Sequence, residues 1–399
     1  MNRISTAQAF DASLQQLQKR QTEMSESQLQ LTTGKRVNRA SDDPTAAAHA
    51  ERALASISRV DADKRGVDAS RALMSQTESA LGDAGDLLQR AHELLVQAGN
   101  GSYSDTQRQS IATELRGIRE QLLSIANRSD GADGYLFGGQ GSAQPPFIDV
   151  PGGVQYRGTP GNAQTAGSEP LPIAMDGSAT WLQARSGNGQ FVTSAPTSTG
   201  SAWIDAGTVI DPSALTGSTY DIQFTVSGAT TTYSVLKDGV ATAQANVPYT
   251  AGTAIQVDGM AVTVNGAPAT GDDFRLAPST STLSVFDTLD KAVADLSASG
   301  KKASQITQDS VVNLRDLDQV MTRLVTARSD VGGTLNRIDG VDDRLDGLKL
   351  QGQTEKSNAE DLDMVQAISD FQNKQSGYDA ALKSYSMVQR LSLFQYLNS

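Results

Sequence analysis

The 399-residue chain contains no cysteine. This removes a disulfide framework, a thiolate nucleophile and a zinc–thiolate site together. Histidine is almost as scarce. The two present, His49 and His92, sit in helical patterns near Glu51 and Glu93 with no second histidine four residues away, so neither carries the spacing of a metal pair. Aromatic residues make up 5% of the chain, which points to thin, elongated cores. Basic residues are outnumbered, 33 against 45 acidic ones, for a formal net charge of -12 and a pI near 4.7. That balance excludes a nucleic-acid footprint, which needs clustered Lys and Arg. No apolar run reaches membrane-spanning length, and the opening Met1-Asn2-Arg3-Ile4-Ser5 lacks the apolar stretch of a secretory signal. Export without a cleaved signal peptide, and no membrane insertion, are therefore expected.

Proline is missing from long stretches. Eleven of the twelve prolines lie between Pro145 and Pro278, and the other is Pro44. Interior proline breaks helices, so residues 45–140 and 279–399 are free to be helical and the middle is not. The middle alternates with period two over Tyr220 to Val226 and Thr231 to Leu236. Ile255-Gln256-Val257, Asp258-Gly259 and Met260 to Val264 then read as a hairpin with a type I′ turn. The fold class expected is α+β and multidomain: a long helical coiled-coil or bundle rod built by both termini, with an inserted mainly-β domain. The boundaries read as 1–40 plus 360–399 for the terminal helices, 41–144 plus 280–359 for the rod and 145–279 for the β domain.

Both ends carry apolar residues that recur in sevens. Ala7, Phe10, Leu14, Leu17, Met24 and Leu31 run along the first helix, with Gln21 and Gln28 in the same register. Ile368, Phe371, Tyr378, Leu382 and Tyr385 run along the last, interrupted by Gln375. Sticky helical ends 350 residues apart are expected to pair with each other and then with neighbouring copies. Ser41-Asp42-Asp43-Pro44 is a helix start, since Ser41 or Asp43 can accept from free backbone N–H groups and proline is tolerated in the first turn. Ser104-Asp105 is a second start.

No catalytic constellation emerges. The acidic string Asp339, Asp342, Asp343, Asp346 lacks calcium-loop spacing and is interleaved with Arg337 and Arg344, so a solvated helix face is expected. Gly138-Gly139-Gln140-Gly141 lacks the lysine of a phosphate loop and reads as a domain connector. No serine has an elbow motif or a histidine partner. The expectation is no enzyme, no cofactor and no metal.

The segment Leu31-Thr32-Thr33-Gly34-Lys35-Arg36-Val37-Asn38-Arg39-Ala40-Ser41-Asp42-Asp43-Pro44 resembles the N-terminal signature of the bacterial flagellin superfamily. Gly134-Tyr135-Leu136-Phe137-Gly138-Gly139 is similar to a motif of its hook-associated branch. So are Ala367-Ile368-Ser369-Asp370-Phe371-Gln372 and the ending Leu391-Ser392-Leu393-Phe394-Gln395-Tyr396-Leu397. The resemblance implies a structural subunit of the extracellular flagellum, exported through the flagellar apparatus, that joins hook to filament. Its implied partners are copies of itself, the first hook-associated protein, flagellin and an export chaperone at the C-terminus. Subunit contacts are expected at Phe10, Leu14, Leu17, Met24, Leu31, Ile368, Phe371, Tyr378, Leu382, Tyr385, Leu393 and Phe394. An elbow is expected at Lys35, Arg36, Asn38, Arg39, Ser41, Asp42, Asp43 and Pro44. Two other readings stay open at this level: a bulk filament subunit, and an adhesin or glycan-binding protein that uses Trp181 and Trp203 of the β domain as stacking platforms.

Overall fold

The computed structural model describes residues 6–397; the side chains of residues 6, 7, 9 and 388–397 lie outside the described set. The described residues form seven α-helices: α1 (Thr6–Thr33), α2 (Pro44–Ala98), α3 (Asp105–Ala126), α4 (Gly177–Trp181), α5 (Val285–Ser297), α6 (Ala303–Glu360) and α7 (Met364–Leu397). Between α3 and α5 lie the strands β1 (Phe147–Val150), β2 (Gly153–Tyr156), β3 (Phe191–Thr197), β4 (Trp203–Ile204), β5 (Thr208–Val209) and β6 (Tyr220–Ser227). They continue with β7 (Thr230–Lys237), β8 (Val240–Ala241), β9 (Val247–Pro248), β10 (Ala254–Val257), β11 (Met260–Asn265) and β12 (Asp273–Pro278). The chain divides into two compact units, Met1–Arg65 with Asp342–Ser399, and Gly66–Val341.

In the first unit α1 and α7 run antiparallel. The rings of Phe10 and Tyr385 meet at 5.4 Å, and at the other end Lys35 bridges to Asp361. The adjoining parts of α2 and α6 are also antiparallel. Lys349 pairs with Asp61 at 2.8 Å, and Lys64 pairs with Asp342 and Asp346. Small residues let these two backbones approach. Ala50 and Ala53 are buried, and a Cβ on Gly352 would press within 2.9 Å of Ile57.

In the second unit the same two helices continue beside α3 and α5. Leu81, Leu88 and Leu94 of α2, Leu115 and Leu122 of α3, Leu289 of α5 and Leu317 and Leu324 of α6 are all buried. Within a helix they recur every six or seven residues, about two turns, which keeps them on one apolar stripe. The start of α3 falls where the sequence places it. Ser104 accepts from Gln107 N–H while the Gln107 side chain accepts from Ser104 N–H, a complete capping box.

The β region is a two-sheet sandwich plus the separate β1–β2 hairpin. One sheet has the order β3-β12-β6-β7-β8 with β9 on β7, and the other β10-β11-β4 with β5 on β11. Phe191, Ile222, Phe224, Phe274 and Leu276 of the first face Ile204, Val257, Val262 and Val264 of the second in one buried cluster. The expected hairpin is present: Val257 pairs with Met260, and Asp258 and Gly259 both have positive φ, 37° and 80°, as a type I′ turn requires.

Candidate assembly surface

A heptad repeat has an inner pair of rows and two flanks. On α1 the inner rows are Phe10, Leu17, Met24 and Leu31, alternating with Ser13, Arg20 and Ser27. On α7 they are Phe371, Tyr378 and Tyr385, alternating with Ala367, Lys374 and Ala381. All of these are half-buried or buried. Leu14, Ile368 and Leu382 do not join them, at 39%, 46% and 40% exposure. Gln21, Gln28 and Gln375 are exposed as well, so they do not fill the inner seam as the sequence pattern suggests. These six residues form a different row, one position beyond the inner one on each helix. The antiparallel register sets Leu14 level with Leu382, Gln21 with Gln375 and Gln28 with Ile368. The result is an uncharged flank along the helix pair, apolar at the Leu14–Leu382 end, amide-bearing at its centre and mixed at the Gln28–Ile368 end. Leu393 and Phe394 lie on α7, but their side chains fall outside the described residues.

The polar residues that do sit in the seam are ones the sequence pattern passed over. Lys374 Nζ donates to Ser27 Oγ at 2.6 Å, and Ser27 is 6% exposed. Gly377 leaves room beside it, since a Cβ there would collide with the guanidinium of Arg20.

The two chain breaks, α1 to α2 and α6 to α7, lie at one level and are stitched together. Gly34 ends α1 in the left-handed region, φ 69°, with its N–H donating to Gln30 O, the C-terminal glycine device. Arg36 N–H and Val37 N–H donate to Glu360 O at 2.7 and 3.3 Å, and Leu362 N–H donates to Gly34 O at 2.9 Å. Side chains reinforce the clamp. Lys35 Nζ lies 3.2 Å from Glu360 Oε1, and Arg36 Nη2 donates to Ala359 O at 2.8 Å. Arg36 Nη1 also meets Asp43 Oδ2 at 3.1 Å.

The aspartates at the elbow divide the capping work. Asp42 Oδ2 accepts from Asn38 N–H and Arg39 N–H, closing the turn. Asp43 Oδ1 accepts from Thr45 N–H and Ala46 N–H, capping α2 around Pro44. The Ala46 amide, then Arg36, holds the Asp43 carboxyl below its ordinary pKa. Ser41 is exposed and reaches only Asp42, at 3.4 Å. Asp363 caps α7 in the same manner, accepting from Val365 N–H and Gln366 N–H. The D-x-x-Q spacing of Asp363 and Gln366 is the signal that would have revealed it.

The remaining candidates resolve structurally. Trp181 is fully buried, edge-on to Phe137 at 5.3 Å and stacked on Phe286 at 6.0 Å, so it is no sugar platform. It also stands outside the sandwich core, in an aromatic cluster with Phe147 and α5. Trp203 is half-buried on β4. Three of the four aspartates in the acidic string are ion-paired: Asp339 with Arg71, and Asp342 and Asp346 with Lys64. His92 Nε2 lies 3.3 Å from Asp318. Gly139 is more than a connector. At φ 67° it takes Met175 O on its N–H, and a Cβ would strike Thr159 O.

The profile of the bacterial flagellin N-terminal helical region matches residues 4–142. Flagellar hook-associated protein 3 of Salmonella typhimurium is 37% identical over 155 residues, 38% of this chain and 48% of that protein. Its Escherichia coli namesake is 25% identical across 98% of this chain and 99% of its own length. The crystal structure of Xanthomonas campestris FlgL superposes with a TM-score of 0.66 at 31% identity, covering 76% of this chain and 99% of that one. A match of that identity, spanning the solved relative almost end to end, means that the chain belongs to the hook-associated protein 3 (FlgL) family of the bacterial flagellin superfamily.

Proposed function

We propose that the chain is a structural subunit of the flagellar hook–filament junction, a mechanical adapter that packs against copies of itself through the α1–α7 pair. In this reading it lies outside the cell in the flagellum, with the first hook-associated protein on one side and flagellin on the other. A chaperone holds its C-terminal helix before export, and no reaction is assigned to it.

The observation that carries the reading is the uncovered row of Leu14, Gln21, Gln28, Ile368, Gln375 and Leu382. A fifth of the chain is charged, yet this row has no charge and stays exposed among the described residues. Covering one such leucine contributes on the order of 1 kcal/mol, so several rows meeting in an array add up to a stable contact. Head-to-tail contacts between identical copies generate rings or helical arrays, as a junction requires. The inner seam residues then hold the helix pair together, and the elbow from Lys35 to Pro44 with its Glu360 partner sets the angle at which the pair is presented.

The test is the full-length Leu14→Asp, Leu382→Asp double variant, added to purified hooks and followed by electron microscopy and sedimentation. We expect wild-type helicity and loss of assembly. Assembly at the wild-type level would overturn the proposal.

A further inference from the structure

With no cysteine, the chain's sulfur is confined to eight methionines, and they are unevenly covered. Met74 and Met260 are buried at 1% and 5% exposure. Met24, Met175 and Met321 are half-buried. Among the described residues, Met364 and Met387 alone are exposed, at 45% and 64%, and both belong to α7, the helix that carries Ile368 and Leu382.

We propose that Met364 and Met387 are sites of oxidative modification by peroxide, and that their oxidation in the free subunit blocks assembly. The second half rests on the junction-subunit reading above. The chemistry needs only a thioether within reach of solvent and a peroxide as oxidant. A sulfur lone pair attacks one peroxide oxygen, the S–O bond forms as the O–O bond breaks, and the departing hydroxide takes up the proton released by the sulfur-bound oxygen and leaves as water. The sulfur loses two electrons and the peroxide gains them. Access decides which sulfurs react, and the buried Met74 and Met260 are shielded by packing.

The consequence follows from where the two side chains stand. Methionine is a flexible apolar side chain suited to adaptable contact surfaces, and its sulfoxide is polar and chiral. A sulfoxide on a helix that has to be dried against a neighbour carries an oxygen without a partner into the contact, and burying an unpaired polar group opposes association. On the junction-subunit reading α7 is dried against neighbouring copies on assembly, so oxidation acts on the subunit before incorporation.

The experiment treats the free full-length chain with hydrogen peroxide and maps oxygen gain by peptide mass spectrometry. Assembly on hooks is scored as the treated-to-untreated ratio for the wild type and for the Met364→Leu, Met387→Leu double variant. We expect oxygen at Met364 and Met387 several-fold ahead of Met74 and Met260, and a ratio that falls for the wild type but holds for the variant. Methionine sulfoxide reductases should restore the wild-type ratio. Uniform oxidation of all methionines, or an equal fall in both chains, would overturn the proposal. Failure of the untreated wild type to assemble would count against the junction reading instead, while the oxidation map would still decide the sites.

Discussion

Lys374 and Ser27, 347 residues apart in sequence, meet through a 2.6 Å hydrogen bond in the seam of the terminal helix pair. Most of the other seam positions are aromatic or aliphatic, and slippage by one heptad would set Lys374 against Arg20 or Gly34 in place of Ser27. A buried polar pair in a coiled coil specifies register at some cost in stability. Ser27→Ala and Lys374→Met should therefore each weaken the pair, and the double variant should show a coupling of about 1 kcal/mol. Amide exchange along α1 and α7 measures it. Strict additivity would mean that the contact contributes nothing to register or stability.

Gly34 is the one residue of the clamp whose backbone geometry excludes a substitution. At φ 69° an L side chain is strained, although nothing lies within 4 Å of the Cβ it would carry. Gly34→Ala should cost about 1–2 kcal/mol through conformation alone, and Gly34→Asn less, because asparagine tolerates the left-handed region. Limited proteolysis between α1 and α2 reads the difference. Equal resistance of wild type and Gly34→Ala would show that the clamp does not depend on this glycine.

The β1–β2 hairpin is latched to the helices by Arg119. Its guanidinium, 6% exposed as a residue, grips Asp149 of β1 in a bidentate pair and Asp290 of α5 at 3.0 Å. Arg119 holds the Asp149 carboxyl below its ordinary value of 3.8. A depressed carboxylate contributes stability that is full above the unfolded-state pKa and is lost as pH falls through the lower folded-state value. The latch should thus persist at neutral pH and release only below about 3.8, and Asp149→Asn should abolish that acid step. Fluorescence of Trp181, which packs on Phe147 of the same hairpin, followed against pH, checks it.

Some of this was legible in the amino-acid pattern and some was not, for definable reasons. Proline confinement and period-two alternation placed the β insertion and its type I′ turn, because those rules act on neighbouring residues. The terminal seam was only half legible. Sevenfold recurrence marks Phe10, Leu17 and Met24, but also Leu14, Gln21 and Gln28, and which row turns inward depends on the partner helix. Lys374 and Ser27 gave no signal, since a lysine and a serine at core positions break the hydrophobic pattern that identifies a core. Trp181 falls within the β domain by sequence position, yet Phe286 of α5, more than 100 residues later, packs against it. Val285–Ser297 itself is too short to declare a stripe, although Ser284 caps it by accepting from Phe286 N–H and Asp287 N–H.

The sandwich is completed by a helix. Gln308 Oε1 of α6 accepts from Ile204 N–H of β4 at 2.8 Å, and seven residues on, Arg315 Nη1 donates to Thr193 O of the edge strand β3 at 2.9 Å. Two turns of one helix thus occupy backbone groups of both sheets that would otherwise be open to pairing. Open strand edges are templates for pairing between chains, a particular hazard for subunits held at high local concentration in an array. Arg315→Ala should remove that cover and also leave the buried Asp316, now bonded by Arg315 Nε and Nη2, without its cation, at a cost of about 3 kcal/mol. Arg315→Ala, Asp316→Ala removes the stranded charge and isolates the edge effect. If the cap matters, the double variant should recover much of the thermal stability yet still form thioflavin-positive aggregates at concentrations where the wild type stays clear. A double variant as soluble as the wild type would show that β3 is protected by its own short, proline-bearing strand and not by the helix.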